Sequence, residues 1–183
     1  MKEIIFIRHG QSEWQSGITK DRNSNLTQVG IEQAQALGSY LRKYIDIKSY
    51  QIISSPLKRS LQTCDHALYV TDNENKIVDS DFQEASFHVR GGLTLPHDFY
   101  PTFNSKVSSE YKQFKSKIRL ALNRVISQND KTIIFSHGGV IKTALRIHCG
   151  SDSFCTEIDN CSITHFVFKD NFWLLYRVNQ KCI

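Results

Sequence analysis

Two histidines of the chain each follow a short apolar run and precede glycine. Residues Ile4 to Ile7 lead into Arg8-His9-Gly10, and Lys131 to Ser136 lead into His137-Gly138-Gly139. A neutral imidazole carries a lone pair near pH 7, so a histidine in such a position can act as a nucleophile. The repetition of the pattern suggests one site that is built from both histidines.

The elements that must position these histidines are two buried strands. Each apolar run is short and rich in β-branched or aromatic residues, as in a strand with both faces covered. In open α/β sheets, ligands bind just beyond the carboxyl ends of the strands, which is where His9 and His137 stand. Residues 140–149 then have the pattern of a helix, closed by Gly150. Free backbone N–H groups at the start of that helix would favour an anion.

The remaining elements alternate between strands and helices and end in a hairpin. Thr27 has the place of a helix cap, and Ser55 is predicted to cap a later helix whose first turn contains Pro56 and Arg59. This order predicts an α/β fold, a single-domain three-layer sandwich. The predicted strands cover 50–54, 76–79, 162–168 and 172–178, and the predicted helices cover 27–45, 56–68 and 108–128.

Composition describes an ordinary globular domain. The chain has 183 residues, is 40% hydrophobic and carries a net charge of +5, which suits an anionic ligand without identifying one. Basic runs are short and lack interleaved aromatic residues, so no nucleic-acid partner is predicted. The five cysteines lack CxxC spacing and are interpreted as reduced thiols. No run has the length of a signal peptide core or a membrane span, so a cytoplasmic protein without membrane association is expected.

Three blocks of the sequence together resemble the histidine phosphatase, or phosphoglycerate mutase-like, superfamily. They are Arg8-His9-Gly10, Ser54-Ser55-Pro56-Leu57-Lys58-Arg59, and Ser136-His137-Gly138-Gly139, in the order of the family and across nearly the whole chain. The resemblance implies a three-layer α/β/α sandwich with a mostly parallel sheet. It also implies a phosphoryl-transfer enzyme.

The resemblance assigns roles to the matching residues. His9 would be the nucleophile that becomes phosphorylated. Arg8 and Arg59 would clamp the phosphate, because guanidinium groups remain charged and bind phosphate in a bidentate manner. His137 would donate to the phosphoryl group beside Gly138, at the start of a helix.

A carboxyl group is also needed to protonate the leaving oxygen and later to activate water. Glu84 matches the position of the family's acid and base, although Asp79 and Asp81 lie close enough in sequence to compete. Ser12 stands where the family commonly has threonine or serine, and Gln15 stands where many members have asparagine. Both are therefore candidate phosphate-binding residues.

The predicted function is metal-independent hydrolysis of a small phosphate ester, with no cofactor and with an undetermined oligomeric state. A single domain over residues 1–183 is expected, with a cap or specificity segment at about 85–105 in which His88, Arg90 and His97 can contact substrate or remain on the surface. No histidine pair has the helical spacing of a metal site. The open alternatives are a phosphoglycerate mutase-type phosphotransferase, a phosphatase of phosphohistidine or phosphotyrosine proteins, and a catalytically silent phospholigand-binding module.

Overall fold

A six-stranded sheet lies at the centre of the fold. The computed structural model describes residues 1–71, 76–89, 107–152 and 156–182. The strands lie in the order β3-β2-β4-β1-β5-β6. Their bounds are Lys2–Arg8 (β1), Gln51–Ser54 (β2), Ile77–Val78 (β3), Lys131–Ser136 (β4), Ile163–Lys169 (β5) and Phe172–Gln180 (β6).

Strands β1 and β4 are parallel neighbours at the centre of the sheet. Arg8 pairs with Ser136 at the last step of their register, so His9 and His137 emerge side by side at the carboxyl edge. Strands β2 and β3 continue the parallel part, whereas β5 and β6 are antiparallel to their neighbours. The mostly parallel sheet that the sequence predicts is therefore confirmed.

Helices cover both faces of the sheet. On β1, Ile5 and Ile7 pack with residues of α1 and α2, while Ile4 and Phe6 pack with residues of α3 and α4. This alternation follows from the strand period of two, and it confirms the three-layer arrangement. The helices span Gln28–Tyr44 (α1), Lys58–Thr71 (α2), Ser109–Gln128 (α3) and Gly138–Cys149 (α4).

Helix ends agree with the predicted caps in most places. The Thr27 side chain accepts from Gly30 N–H at the start of α1, and Ser108 caps α3 in the same way. Gly150 closes α4 with a φ of 66°, in the left-handed region that glycine adopts at low cost.

Two helix starts differ from the prediction. Helix α2 begins at Lys58, so Pro56 precedes the helix instead of lying in its first turn, whereas Arg59 does lie there. The reason is that Ser55 Oγ bonds to a histidine across the sheet edge and accepts only a long contact from Leu57 N–H. Helix α4 begins two residues earlier than predicted, at Gly138, directly after the strand end.

The chain ends in the predicted hairpin. Asp170 and Asn171 have φ of 53° and 67°, as the two central residues of a type I′ turn require. Among the residues that the structure describes, no helix is both long and apolar enough to cross a membrane.

Candidate active site

A cavity of about 620 Å³ opens at the carboxyl ends of β1 and β4. We call it the His9 cavity. Its floor holds cationic and imidazole groups, and its walls come from the loop after β1, the loop after β3, helix α4 and the segment before β5. Its lining includes Arg8, His9, Trp14, Gln15, Arg22, Arg59, Glu84, His88, Gly138, Gly139, Lys142 and Glu157.

His9 is held in one orientation by two polar contacts. Its Nδ1 lies 2.7 Å from the carbonyl oxygen of Gly10, and its Nε2 lies 3.0 Å from Nε of Arg59. Because an arginine N–H can only donate, Nε2 is the acceptor and the ring proton sits on Nδ1, from where it is donated to Gly10. Burial first, then the charges of Arg59 and Arg8, hold the pKa of His9 well below its ordinary value. His9 is therefore neutral near pH 7, with a lone pair on Nε2.

Arg8 and Arg59 bring two positive charges to the ring of His9. Arg59 is almost fully buried and, besides its contact with His9, donates to the carbonyl oxygen of Arg22. Arg8 donates through Nη1 to the carbonyl oxygen of Ile158, while its Nε is buried without a hydrogen-bond partner. Burial lowers the pKa of both guanidinium groups, but arginine remains charged in proteins. Two neighbouring guanidinium groups of this kind favour an anion as ligand.

His137 lies beside His9, with 5.2 Å between the ring centroids. Its Nε2 is 2.7 Å from Ser55 Oγ, and its buried Nδ1 has no hydrogen-bond partner. The Ser55 hydroxyl oxygen accepts from Leu57 N–H at 3.4 Å, which favours donation of its own proton to Nε2. In the tautomer that accepts from Ser55, the ring proton lies on Nδ1; His137 itself is fully buried behind the cavity and is not part of its lining. Burial, followed by the charges of His9 and the two arginines, holds the pKa of His137 well below its ordinary value.

Glu84 enters the same cavity from the loop after β3. Its Oε2 accepts from Gly139 N–H at 3.0 Å, and its Oε1 accepts from Ala85 N–H at 3.1 Å. Burial raises the pKa of the Glu84 carboxyl, against the opposing effect of these N–H groups and of both arginines. The competing carboxylates do not line the cavity, because Asp79 and Asp81 both bind Arg124.

The two weaker candidates of the loop after β1 are differently placed. Gln15 lines the His9 cavity, whereas Ser12 is buried behind it and is not part of the lining. Gln15 Oε1 accepts from Ser12 N–H at 3.2 Å and from Asn160 Nδ2 at 3.2 Å. Asn160 also donates to the carbonyl oxygen of His9 at 2.8 Å. Asn160 thus braces the backbone of the His9 turn.

Sequence reasoning did not assign three residues of this region to the site. The sequence predicts Ser55 to be a helix cap, but in the structure its side chain contacts His137, which lies 82 positions away. Lys142 lies one helical turn after Gly139, so helical spacing alone would have placed it on the side that faces the cavity. Glu157 carries no sequence signal of its own. His88 lines the cavity, while Arg90, His97 and most of the segment 85–105 lie outside the described residues.

The cavity lining carries guanidinium, ammonium and imidazole groups together with the carboxyl groups of Asp21, Glu84 and Glu157. Within residues 1–71, 76–89, 107–152 and 156–182, no group of three or more His, Cys, Asp or Glu side chains is arranged to hold a metal ion. The four described cysteines are free thiols, of which Cys64 and Cys161 are buried.

Known proteins match the sequence over nearly its whole length. A family model described as the histidine phosphatase superfamily (branch 1) matches residues 4–181. The chain is 24% identical over 193 residues to a metal-independent phosphoserine phosphatase of Arabidopsis thaliana, an alignment that covers 94% of this chain and 79% of that protein. It is 37% identical over 84 residues to a 2,3-bisphosphoglycerate-dependent phosphoglycerate mutase of Haemophilus influenzae (strain PittEE), which covers 40% of this chain and 35% of that protein.

A solved structure shows the same fold. A phosphoserine phosphatase mutant from Entamoeba histolytica, in complex with phosphoserine, superimposes with a TM-score of 0.71 at 23% identity. The alignment covers 99% of this chain and 98% of that chain. At this identity the likeness establishes the fold, which is the phosphoglycerate mutase-like sandwich.

Proposed function

The chain belongs to the histidine phosphatase superfamily and is a phosphatase of that family, and on this premise we propose a reaction for it. It is a metal-independent phosphomonoester hydrolase that acts on a small phosphorylated metabolite through a phosphohistidine at His9. The single observation that carries the proposal is the orientation of His9. Its Nε2 lone pair points at Arg59 inside the cavity, and its other ring nitrogen is fixed by Gly10.

The first step forms a bond between Nε2 of His9 and phosphorus. The incoming phosphate takes over the Arg59 N–H that now contacts Nε2, so the lone pair becomes free as the anion arrives. Arg8 and Arg59, which line the cavity, contact the phosphoryl oxygens, where charge must be stabilised during transfer. The buried Nδ1 of His137, beside the His9 ring, donates to the same group once the phosphate is bound. The bond from phosphorus to the ester oxygen breaks at the same time, and the phosphoryl group remains on His9.

Glu84 supplies the proton in that step. Its raised pKa keeps the carboxyl protonated to a higher pH than an ordinary glutamate, so it can give its proton to the leaving alkoxide. In the second step the Glu84 carboxylate takes a proton from water. The resulting hydroxide attacks phosphorus, the bond to His9 breaks, and inorganic phosphate leaves.

Metal independence is supported by the charges already present. The guanidinium groups of Arg8 and Arg59 supply the positive field that a metal ion supplies in other phosphatases. The Arabidopsis thaliana relative, which aligns with 94% of this chain, is a metal-independent phosphoserine phosphatase.

The substrate is proposed to be a small molecule such as a phosphorylated amino acid or sugar acid. Relatives named for phosphoserine support this class, and Ala85 to Val89, at the start of the proposed specificity segment 85–105, line the cavity. We propose one domain over residues 1–183. The second candidate is phosphoglycerate mutase activity. It is favoured by the 37% identity over 84 residues to a mutase, although the alignment covers only part of that protein.

The proposal is tested by the rate of p-nitrophenyl phosphate hydrolysis in excess EDTA, from about pH 5 to pH 8. The expected result is turnover without metal that His9→Ala abolishes and that Glu84→Ala lowers. His66→Ala is the matched control, because His66 lies on α2 and does not line the cavity. Activity that requires an added metal, or that survives His9→Ala, would overturn the mechanism. Mutase activity would appear as phosphoryl transfer between phosphoglycerates at a rate above the rate of phosphate release.

A further inference from the structure

Beyond the phosphate-binding floor, the wall of the His9 cavity carries a pair of opposite charges. Lys142 of helix α4 and Glu157 of the segment before β5 both line the cavity, and their Nζ and Oε2 atoms are 3.8 Å apart. Neither residue is needed for the reaction steps derived above. Arg8 and Arg59 are both cations that attract the phosphate, whereas Lys142 and Glu157 carry opposite charges.

The pair is close in the chain to residues that hold the reacting groups. Lys142 follows Gly139, whose N–H binds Glu84, by three residues of α4, which places it on the same helix face about 4.5 Å further along the axis. Glu157 precedes Ile158, whose carbonyl oxygen binds Arg8. The Glu157 carboxylate is near enough to Arg8 to raise the pKa of that guanidinium group, against the larger lowering by burial. The part of a substrate just beyond its phosphate would therefore meet both charges.

The two charges are held loosely enough to receive other partners. A separation of 3.8 Å exceeds the length of an N–H to oxygen hydrogen bond, which is about 2.7–3.2 Å. The side chain of Lys142 is 14% exposed, whereas that of Glu157 is 88% exposed. A partly desolvated ammonium group attracts a carboxylate more strongly than an exposed one does, so Lys142 is the stronger half of the pair.

We propose that Lys142 and Glu157 form the subsite for the alcohol half of the substrate. Lys142 binds a carboxylate and Glu157 binds an ammonium group, so the preferred substrate is a phosphate ester of a hydroxy amino acid. The inference rests on the proposed phosphatase function and adds the residues that choose among phosphate esters.

The simpler interpretation is that the ion pair only holds α4 against the segment before β5 and binds no ligand. A purely structural ion pair would affect the hydrolysis of every substrate to the same extent, because it acts through the fold. Besides Arg8, Arg59 and Lys142, the cavity lining contains the cation of Arg22. The Arg22 guanidinium donates to the carbonyl oxygen of Ser86 and lies over Trp14. Those contacts bridge two loops, which leaves Lys142 as the better carboxylate ligand.

Four phosphate esters with two variants separate these readings. Phosphoserine carries both charged groups, 3-phosphoglycerate carries the carboxylate, phosphoethanolamine carries the ammonium, and glycerol 3-phosphate carries neither. The value of kcat/KM is measured for each ester with wild type, Lys142→Met and Glu157→Gln. Lys115→Met is the control for lysine, since Lys115 is 17% exposed and paired with Asp152 away from the cavity. Glu110→Gln, on the exposed first turn of α3, is the control for glutamate.

We expect Lys142→Met to lower kcat/KM for phosphoserine and 3-phosphoglycerate about 10- to 100-fold, the usual effect of a hydrogen bond to a charged group. The two esters without a carboxylate should change by less than about 3-fold. Glu157→Gln should lower the values for phosphoserine and phosphoethanolamine about 2- to 5-fold, because its carboxylate is exposed, and should not lower the value for 3-phosphoglycerate.

Equal losses on all four esters, or losses matched by the control variants, would overturn the subsite while the phosphatase function stands. If wild type hydrolyses none of the four esters and also fails on p-nitrophenyl phosphate, the proposed function itself fails, and the subsite with it. The two failures are distinguishable because p-nitrophenyl phosphate carries neither an ammonium group nor a carboxylate.

Discussion

At Gly139, one added methyl group should lower the rate of catalysis with little effect on the stability of the fold. A Cβ at this residue would lie 2.2 Å from Oε1 of Glu84 and 2.7 Å from Cγ2 of Val89. Contacts of Cβ below 3.0 Å essentially do not occur, so the carboxyl must move by at least about 0.8 Å. Glu84 Oε1 is the far end of a side chain and can move without disturbing the sheet. We therefore predict that Gly139→Ala displaces Glu84, the proposed acid and base.

The size of the effect follows from the geometry. A misplacement of about 1 Å in a reacting group costs about 100-fold in rate, or about 2.7 kcal/mol of transition-state stabilisation. Stability should change much less, because alanine favours a helix over glycine by about 1 kcal/mol and offsets part of an overpacking cost of about 1–3 kcal/mol. The expected change in Tm is below about 5 °C.

The assay is kcat on p-nitrophenyl phosphate beside a thermal melt, with Gly138→Ala as the matched control. A Cβ at Gly138 would approach Nε of Arg8 no closer than 3.7 Å, an ordinary contact, so it makes the same helix substitution without moving Glu84. In a Glu84→Ala background, Gly139→Ala should have little further effect on kcat. Full activity in Gly139→Ala, or a further 100-fold loss in that background, would refute the reasoning.

Three further perturbations follow from the same contacts. Ser55→Ala should lower kcat/KM about 10-fold, because the hydrogen bond that fixes the tautomer of His137 is lost. In a His137→Ala background, Ser55→Ala should cause little further loss of kcat/KM, so additive losses would contradict the proposed role of Ser55. Glu84→Gln should lower kcat and remove the fall of kcat/KM at high pH, because the fall reflects loss of the carboxyl proton as pH rises through a raised pKa; an unchanged profile would assign the proton to another group. Burial opposes ionisation of Glu3, but the Tyr50 hydroxyl at 2.6 Å helps to hold the pKa of this carboxyl below its ordinary value. The ionised Glu3 carboxylate therefore stabilises the fold above the ordinary carboxyl pKa, and this stabilisation is lost as pH falls through the lowered pKa of Glu3. Tyr50→Phe should lower the free energy of unfolding in urea by about 1.5–3 kcal/mol at pH 7 and by less near about pH 3. A difference that is independent of pH would contradict this prediction.

Much of the fold could be predicted because its elements are locally consistent. The apolar runs before Arg8 and before His137 have strand length, and each ends in polar residues and glycine, so the sequence itself places both histidines at strand ends. Parallel pairing of β1 and β4 then brings them together, which the order of elements predicts for an α/β sheet. Arg59 reaches the same place because it lies in the first turn after another strand of that sheet.

The relations that sequence reasoning missed are those that depend on distance in space. Ser55 precedes a helix and has the residue type of a cap. Only the parallel pairing of β2 with β4 brings it to His137. Glu157 likewise reaches the cavity only through the fold, because no periodic pattern in the surrounding sequence marks its position. Ser12 has the residue type of a phosphate ligand, but its backbone bridge to Leu26 keeps it behind the cavity lining.

The central claim is that the phosphoryl group passes through Nε2 of His9. The most direct measurement is mass spectrometry of the enzyme quenched in alkali during turnover of phosphoserine, with the modified peptide sequenced. The account predicts one added phosphoryl group on the peptide that contains His9, present in Glu84→Ala and absent from His9→Ala. Turnover in which no phosphoenzyme accumulates even in Glu84→Ala, or a phosphoryl group found on another residue, would contradict it.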